Sequence, residues 1–209
     1  MRILLQRTWA MSDLASHRHI EVALRQDAPD IKAVLLESGM GFFEVPALNP
    51  KQPSTSFKLR GQEFHVDLLT PAQGAETGKP VYLPHFHSHA RPMRFLEYLL
   101  EDSQGAVIPF RSGIFVNIPH PARLALHKLV VCRPRPLAEQ IKARKDVQQA
   151  TELLNLLLED RPGDIWIALE AAYAMPDKFL AQLAEGIEQL PTNLKQTIGE
   201  HLNRISSSE

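Results

Sequence analysis

Gly61-Gln62-Glu63-Phe64-His65-Val66-Asp67-Leu68-Leu69-Thr70-Pro71 is the stretch that decides how the first half of this chain folds. Strict alternation places Phe64, Val66 and Leu68 on one face of a strand and Glu63, His65 and Asp67 on the other. Pro71 closes the strand, because proline cannot donate to a central ladder. One face is therefore suited to a core. The other offers a carboxylate near the strand's C-terminal end, a good place for a metal or a proton and also what an ordinary solvent-facing strand carries.

Working outward, Phe57 to Leu59 and a turn at Arg60-Gly61-Gln62 complete a β-hairpin. Upstream, residues 2–5 read as a short strand. The spacing of Ile31, Val34 and Leu35 predicts a helix capped by Asp27 or Asp30 and ended by Gly39 and Gly41. Residues 42–45 read as a strand and 46–55 as a loop. Downstream, residues 71–80 read as a surface loop, and 106–110 with 114–118 as a second hairpin turning at Ser112-Gly113. From Pro121 onward everything reads as helical. Pro121 sits in the first turn of a helix over 121–131, Arg133-Pro134-Arg135-Pro136 breaks it, and helices follow over about 137–158, 165–175, 177–190 and 193–205, before a frayed tail. The expected division is an α/β core over residues 1–120 and a helical region over 121–209 packed on it.

A formal net charge of -1 argues against a general nucleic-acid binder but leaves room for a local basic patch. The single cysteine, Cys132, excludes an intramolecular disulfide and fits a reducing compartment. Met1-Arg2-Ile3-Leu4-Leu5 is too short for a signal-peptide apolar region, and no run approaches the ~18 apolar residues of a membrane span. A cytoplasmic protein with no membrane contact is the expectation.

On a helical wheel at about 100° per residue, Lys128 falls among Leu124, Ala125 and Val131, while Arg123 and His127 share another face. In the long helix, Asp146 projects close to the stripe of Ala150, Leu153, Leu154 and Leu157, and Lys145 points away from it. One cation and one anion are thus aimed inward on successive helices. Loss of hydration costs a lysine ammonium several kcal/mol unless it is paired. A structural ion pair that docks the two helices satisfies this. So does a phosphate-binding lysine held by an aspartate, as charged groups in such surroundings collect at active sites.

His85, His87 and His89 alternate, so a strand would aim all three imidazoles one way, as a zinc site requires. Pro84 and Pro92 bracket them, Ala90 follows His89, and no adjacent carboxylate completes a ligand set, which favours plain loop histidines. His127 and Cys132, five apart, lie on different faces of a helix and make no nucleophile–base pair. The chain has no Gly-x-Ser-x-Gly, Walker lysine loop or Gly-x-Gly-x-x-Gly.

The ordered set Val66-Asp67-Leu68-Leu69-Thr70-Pro71, Gly113-Ile114-Phe115-Val116-Asn117-Ile118-Pro119-His120-Pro121-Ala122-Arg123-Leu124-Ala125-Leu126-His127-Lys128-Leu129 and Arg144-Lys145-Asp146-Val147-Gln148-Gln149-Ala150 resembles the bacterial nucleotidyltransferase-like proteins of the DNA polymerase β superfamily. More distantly it is similar to the nucleotidyltransferase toxins of abortive-infection systems. The resemblance spans about residues 7–158. It implies an α+β fold, with a small mixed β-sheet nucleotidyltransferase-like core and a C-terminal helical region. It also implies Mg2+-dependent transfer of a nucleotidyl group from an NTP to a protein, RNA or small-molecule acceptor. By resemblance Asp13 and Asp67 bind metal, Lys128, Lys145 and Arg123 contact the nucleotide, and Asp146 orients Lys128.

The first carboxylate motif departs from the family pattern Arg-Thr-x-Asp-x-Asp-x-Ala. Here Arg7-Thr8 precedes Trp9-Ala10-Met11-Ser12-Asp13-Leu14-Ala15, with Met11 where the first aspartate belongs and one residue inserted. A thioether is no ligand for Mg2+, which demands hard oxygens. The glycine-containing phosphate turn and its preceding helix would lie upstream, where only twelve residues stand before Asp13. Either the N-terminus is incomplete or part of the NTP site has been lost. Three readings follow, in this order: an active nucleotidyltransferase, a degenerate binding or regulatory module on the same fold, and a zinc hydrolase built on His85, His87 and His89.

Overall fold

The computed structural model describes residues 4–7, 19–23, 30–47, 49–72, 78–109, 112–132 and 140–206. In chain order the elements are β1 (Leu4–Arg7), β2 (His19–Ala23), α1 (Ile31–Glu37), β3 (Phe42–Glu44), β4 (Ser56–Leu59), β5 (His65–Pro71), β6 (Val81–Leu83), β7 (Ser88–Met93), α2 (Leu96–Glu101), β8 (Ser103–Ile108) and β9 (Ile114–Pro119). Then come α3 (Pro121–Val131), α4 (Gln140–Asp160), α5 (Pro162–Tyr173), α6 (Asp177–Ile187) and α7 (Thr192–Ser206). The fold is α+β. The chain divides into two compact units, residues 1–97 with 103–118, and residues 98–102 with 119–209.

The first unit is a mixed sheet. Among the described residues its strands run β3-β4-β5-β2-β1-β9-β8, and β7 pairs with both β5 and β6. β5 is antiparallel to β4 and parallel to β2 and β7. The expected hairpin is present. Its turn is closed by Leu59 N–H donating to the Phe64 carbonyl at 2.9 Å, and Gly61 takes the positive φ of 75° that the reversal needs. The alternation in β5 holds as well. Val66 and Leu68 join Ile31, Phe42, Phe57, Leu59, Phe86 and Ala90 in one core cluster, with α1 supplying Ile31 and Leu35. Of the two capping candidates Asp30 is the one used, its Oδ1 accepting from Ala33 N–H at 3.0 Å. Asp27 lies outside the described residues.

Two alternatives left open by the sequence are narrowed here. On the opposite face of β5 Asp67 is only 8% exposed, whereas His65 is half-buried and Glu63, just before the strand, is exposed. The histidines do not alternate along one strand, in keeping with the loop reading favoured for them. Pro84–Phe86 form a 3-10 turn, His87 ends it in the left-handed region at φ 46°, and β7 starts only at Ser88, with Pro92 inside it opposite Thr70. His89 instead packs its ring 5.0 Å from that of Tyr82. Among the described residues no three His, Cys, Asp or Glu side chains are grouped to hold a metal ion. The strand geometry on which the zinc-hydrolase reading rested is therefore absent.

The second unit is helical, with α3 packed against α4, α5 and α6. Leu126, Leu129, Leu154, Ile165, Leu169, Phe179, Leu183 and Leu194 are all but fully buried, each contributing about 1.5–3 kcal/mol by leaving water. The approach of α3 to α6 is close enough to demand a glycine: a Cβ on Gly186 would lie 2.3 Å from the Leu129 carbonyl oxygen. Tyr98, from the short segment that belongs to this unit, packs its ring 4.8 Å from Phe179 and donates its hydroxyl to the Ala168 carbonyl at 2.8 Å. Burial pushes that hydroxyl well above its ordinary pKa of 10, against a smaller opposing pull from Arg123. Among the described residues no helix is long and apolar enough to cross a membrane.

Candidate functional site

In the first unit Ser56, Lys58, His65 and Asp67 stand on the sheet face opposite the core cluster. The register aligns Ser56, Asp67 and Glu21 across β4, β5 and β2, and Phe43, Lys58 and His65 across β3, β4 and β5. The Ser56 hydroxyl donates to Asp67 Oδ1. Arg91, which partners Leu69 two residues beyond Asp67, brings Nη2 to 3.9 Å from Asp67 Oδ2. That guanidinium is 45% exposed, so its attraction is screened and adds little stability by itself. Asp67 is therefore an anion on a strand hydrogen-bonded along both edges, oriented by a neutral hydroxyl. A hard oxygen held this way suits a hard cation. Asp13 and Met11 lie outside the described residues.

Sequence reasoning misses Glu21 because it assigns no strand at β2. The signal is there in the alternation of Ile20 and Val22 with His19, Glu21 and Ala23. What makes it matter is its parallel pairing with β5, which sets Glu21 beside Asp67 in register.

In the second unit Lys128 Nζ lies 2.9 Å from Asp146 Oδ1, with the side chains 12% and 11% exposed. Both inward projections inferred from the wheel are thus found, and each charge compensates the other's lost hydration. Lys145 is exposed, also as its position on the wheel requires. The pair joins α3 to α4.

Arg123 is held by several contacts within the second unit. It is 7% exposed, with Nη1 donating to the Tyr98 carbonyl at 2.8 Å and to Glu101 Oε2 at 3.0 Å, while the guanidinium carbon sits 4.9 Å from the centre of the Tyr98 ring. It ties α3 to the segment at 98–102. His120 is likewise committed. Its Nδ1 accepts from Ala122 N–H at 3.3 Å as the cap of α3, and its Nε2 faces Asp164 Oδ2 at 3.4 Å, an oxygen that also lies 3.0 Å from Arg161 Nη2. The Cys132 thiol donates to the Leu129 carbonyl at 3.0 Å and is buried, which suits a core residue rather than a nucleophile.

Asp67 and its partners belong to one compact unit, and Lys128, Asp146 and Arg123 to the other.

A protein-family model described as Nucleotidyltransferase matches residues 10–173, well over half of the chain. The matched region ends on Tyr173, the last residue of α5, and leaves α6 and α7 outside. No curated protein and no solved structure matches the chain.

Proposed function

The chain belongs to the nucleotidyltransferase family, and from that premise we propose that it transfers a nucleotidyl group from a nucleoside triphosphate, with Mg2+, to an acceptor. In this reaction an acceptor oxygen bonds to the α-phosphorus and pyrophosphate leaves. The family match over residues 10–173 carries the reading. Asp67 supports it as the metal-binding carboxylate of the first unit, with Asp13 and the register position of Glu21 as further acidic positions. Mg2+ is commonly held by one or two carboxylates plus substrate phosphates and water, and Asp67 offers one such carboxylate. The ion would supply neutralisation of the triphosphate and polarisation of the transferring phosphoryl group. The Ser56 hydroxyl fixes the orientation of the Asp67 carboxylate.

Lys128 is proposed as a phosphate contact oriented by Asp146. An ammonium has three donors and Asp146 Oδ1 takes one. Lys145 is assigned to the nucleotide through the family resemblance alone. No nucleotide contact is assigned to Arg123, whose Nη1 already serves Tyr98 and Glu101.

Met11 favours a second reading, a binding or regulatory module that keeps the fold but not the chemistry, because a thioether stands where the first aspartate belongs. Calorimetric titration with each NTP, with Mg2+ and with EDTA, separates the two when run beside Asp67→Ala. Mg2+-dependent binding that the variant loses supports the transferase. A folded protein that binds no NTP would instead be the degenerate module.

A further inference from the structure

We propose that the concavity lined by Phe43, Lys58 and Arg60 binds the acceptor, and that this acceptor is a single-stranded nucleic acid, one base stacked on Phe43 and its phosphates held by Lys58 and Arg60. The inference rests on the nucleotidyl-transfer reading and names the acceptor class for it. The concavity has a volume of about 420 Å³ and is completed by Leu59, Gly61, Gln62 and Glu63. That is within the ~300–1,000 Å³ of sites for small molecules, so it admits a nucleotide unit rather than a duplex.

Its place in the sheet gives it a functional neighbour. Lys58 follows Ser56 by two residues on β4, and its partner His65 precedes Asp67 by two on β5. Side chains two apart share a face. Phe43 is the cross-strand partner of Lys58. Phe43, Lys58 and Asp67 thus stand on one face of one sheet, with Lys58 and Asp67 in rows roughly 7 Å apart.

The chemistry of the lining is that of single-strand recognition, an aromatic platform beside point cations. Phe42 goes into the core at 8% exposed, whereas Phe43 is 38% exposed. The backbone beneath Arg60 is tied down, its N–H donating to the Gly41 carbonyl at 3.3 Å. Glu63 meets Lys58 at 3.8 Å, but the two side chains are 64% and 38% exposed, so the pair is screened and yields to a phosphate. Two cations against one carboxylate make this patch positive in a chain whose formal net charge is -1. A Mg2+-laden triphosphate seeks carboxylates through its metal, while a phosphodiester strand seeks point cations and a stacking surface.

The test measures the full chain against a 5′-labelled 12-nucleotide single-stranded RNA by fluorescence anisotropy, and against Mg2+-ATP by calorimetry. The variants are Phe43→Ala, Phe43→Leu and the double Lys58→Ala/Arg60→Ala, each checked for folding by circular dichroism. Expected are salt-dependent RNA binding by the parent and about tenfold weaker binding by either Phe43 variant. The double variant should show a shallower salt dependence, by roughly 0.7 in the log–log slope for each phosphate it no longer neutralises. Mg2+-ATP binding should be unchanged in all three. Parent binding of Mg2+-ATP without RNA, or equal RNA binding by folded variants, overturns the inference while leaving the transferase reading in place. Loss of Mg2+-ATP binding in these variants also overturns it, by making the concavity part of the donor site. RNA binding that depends on the three side chains, in a protein that binds no NTP, upholds the nucleic-acid site and sinks the transferase reading.

Discussion

Two buried aspartates, Asp67 in the sheet and Asp146 in the helices, are equally hidden at 8% exposed, yet they are held in opposite ways. Asp146 faces a buried cation at 2.9 Å, and the two charges close on each other across α3 and α4. Asp67 takes a neutral hydroxyl from Ser56 and faces a half-exposed guanidinium at 3.9 Å. A closed pair has its electrostatic compensation inside the fold and is well suited to fixing helix geometry. The Ser56 hydroxyl holds the Asp67 carboxylate at a fixed place, and the guanidinium it faces is partly open to solvent. Burial alone therefore does not distinguish the two aspartates; their partners do.

The largest effect should come from splitting the closed pair. Lys128→Met leaves Asp146 as a buried uncompensated anion, and Asp146→Leu leaves the ammonium, so each is expected to cost about 3–5 kcal/mol in denaturant unfolding. The double variant Lys128→Met/Asp146→Leu should recover most of that, as an apolar replacement of a buried pair is often near neutral. If the double variant loses as much as the sum of the singles, the two charges are not each other's compensation and the contrast with Asp67 fails. The phosphate role proposed for Lys128 has a separate readout, since Mg2+-NTP affinity of the refolded double variant should then still be low.

Next in size is the contact beside that pair. Gly186→Ala places a methyl 2.3 Å from the Leu129 carbonyl, a backbone atom that cannot swing aside. About 1–3 kcal/mol of destabilisation is expected from such overpacking. An unchanged melting temperature would show that α6 gives way readily and that the helical unit is less tightly set than a closed ion pair suggests.

Tyr98→Phe removes a hydrogen bond to the Ala168 carbonyl and should cost about 1 kcal/mol at neutral pH. The parent also has a sign-defined pH response. The folded pKa of Tyr98 is raised above its ordinary value of 10 by burial, so above that pH the unfolded chain has released a proton that the folded chain retains. Stability from this source is fully present below about pH 10 and falls as pH rises from there toward the folded value, with a limiting slope of ~1.4 kcal/mol per pH unit. Denaturant midpoints of parent and Tyr98→Phe measured between neutral and alkaline pH should converge. A constant gap across that range would contradict it.

The same contrast explains what is legible in the sequence. Lys128 and Asp146 can be read from neighbours three and four residues away on their own helices, and a wheel needs nothing else. The hairpin at 57–69 and the helix at 121–131 are equally local. Arg123 falls on a different face from the inward lysine, and what buries it, Tyr98 and Glu101, lies 25 and 22 residues upstream. Asp67 shows its face through alternation, but its burial depends on strands contributed by Ser56 and Arg91, and the position of Glu21 depends on a parallel pairing across more than forty residues of chain. The His85–His89 reading fails for a related reason: two-residue spacing says nothing until the backbone is known to be a strand, and here a 3-10 turn intervenes.

The smallest effect on stability, and the sharpest test of the comparison, belongs to Asp67→Asn. The amide is isosteric and its oxygen still accepts from the Ser56 hydroxyl, while the attraction to Arg91 that it forgoes acts across 3.9 Å on a 45%-exposed side chain. An attraction to a half-exposed partner contributes about 0–1 kcal/mol, and a shift in unfolding of about that size is expected. Mg2+-dependent NTP binding should nevertheless disappear, because a neutral amide oxygen does not replace a carboxylate at a divalent cation carrying a triphosphate. A loss of several kcal/mol, comparable with Lys128→Met, would show that the fold depends on the Asp67 charge as much as on the helical pair. Unaltered stability together with unaltered Mg2+-NTP binding would remove Asp67 from the site altogether. A change in binding without a change in folding is the outcome that fits a carboxylate kept for a cation.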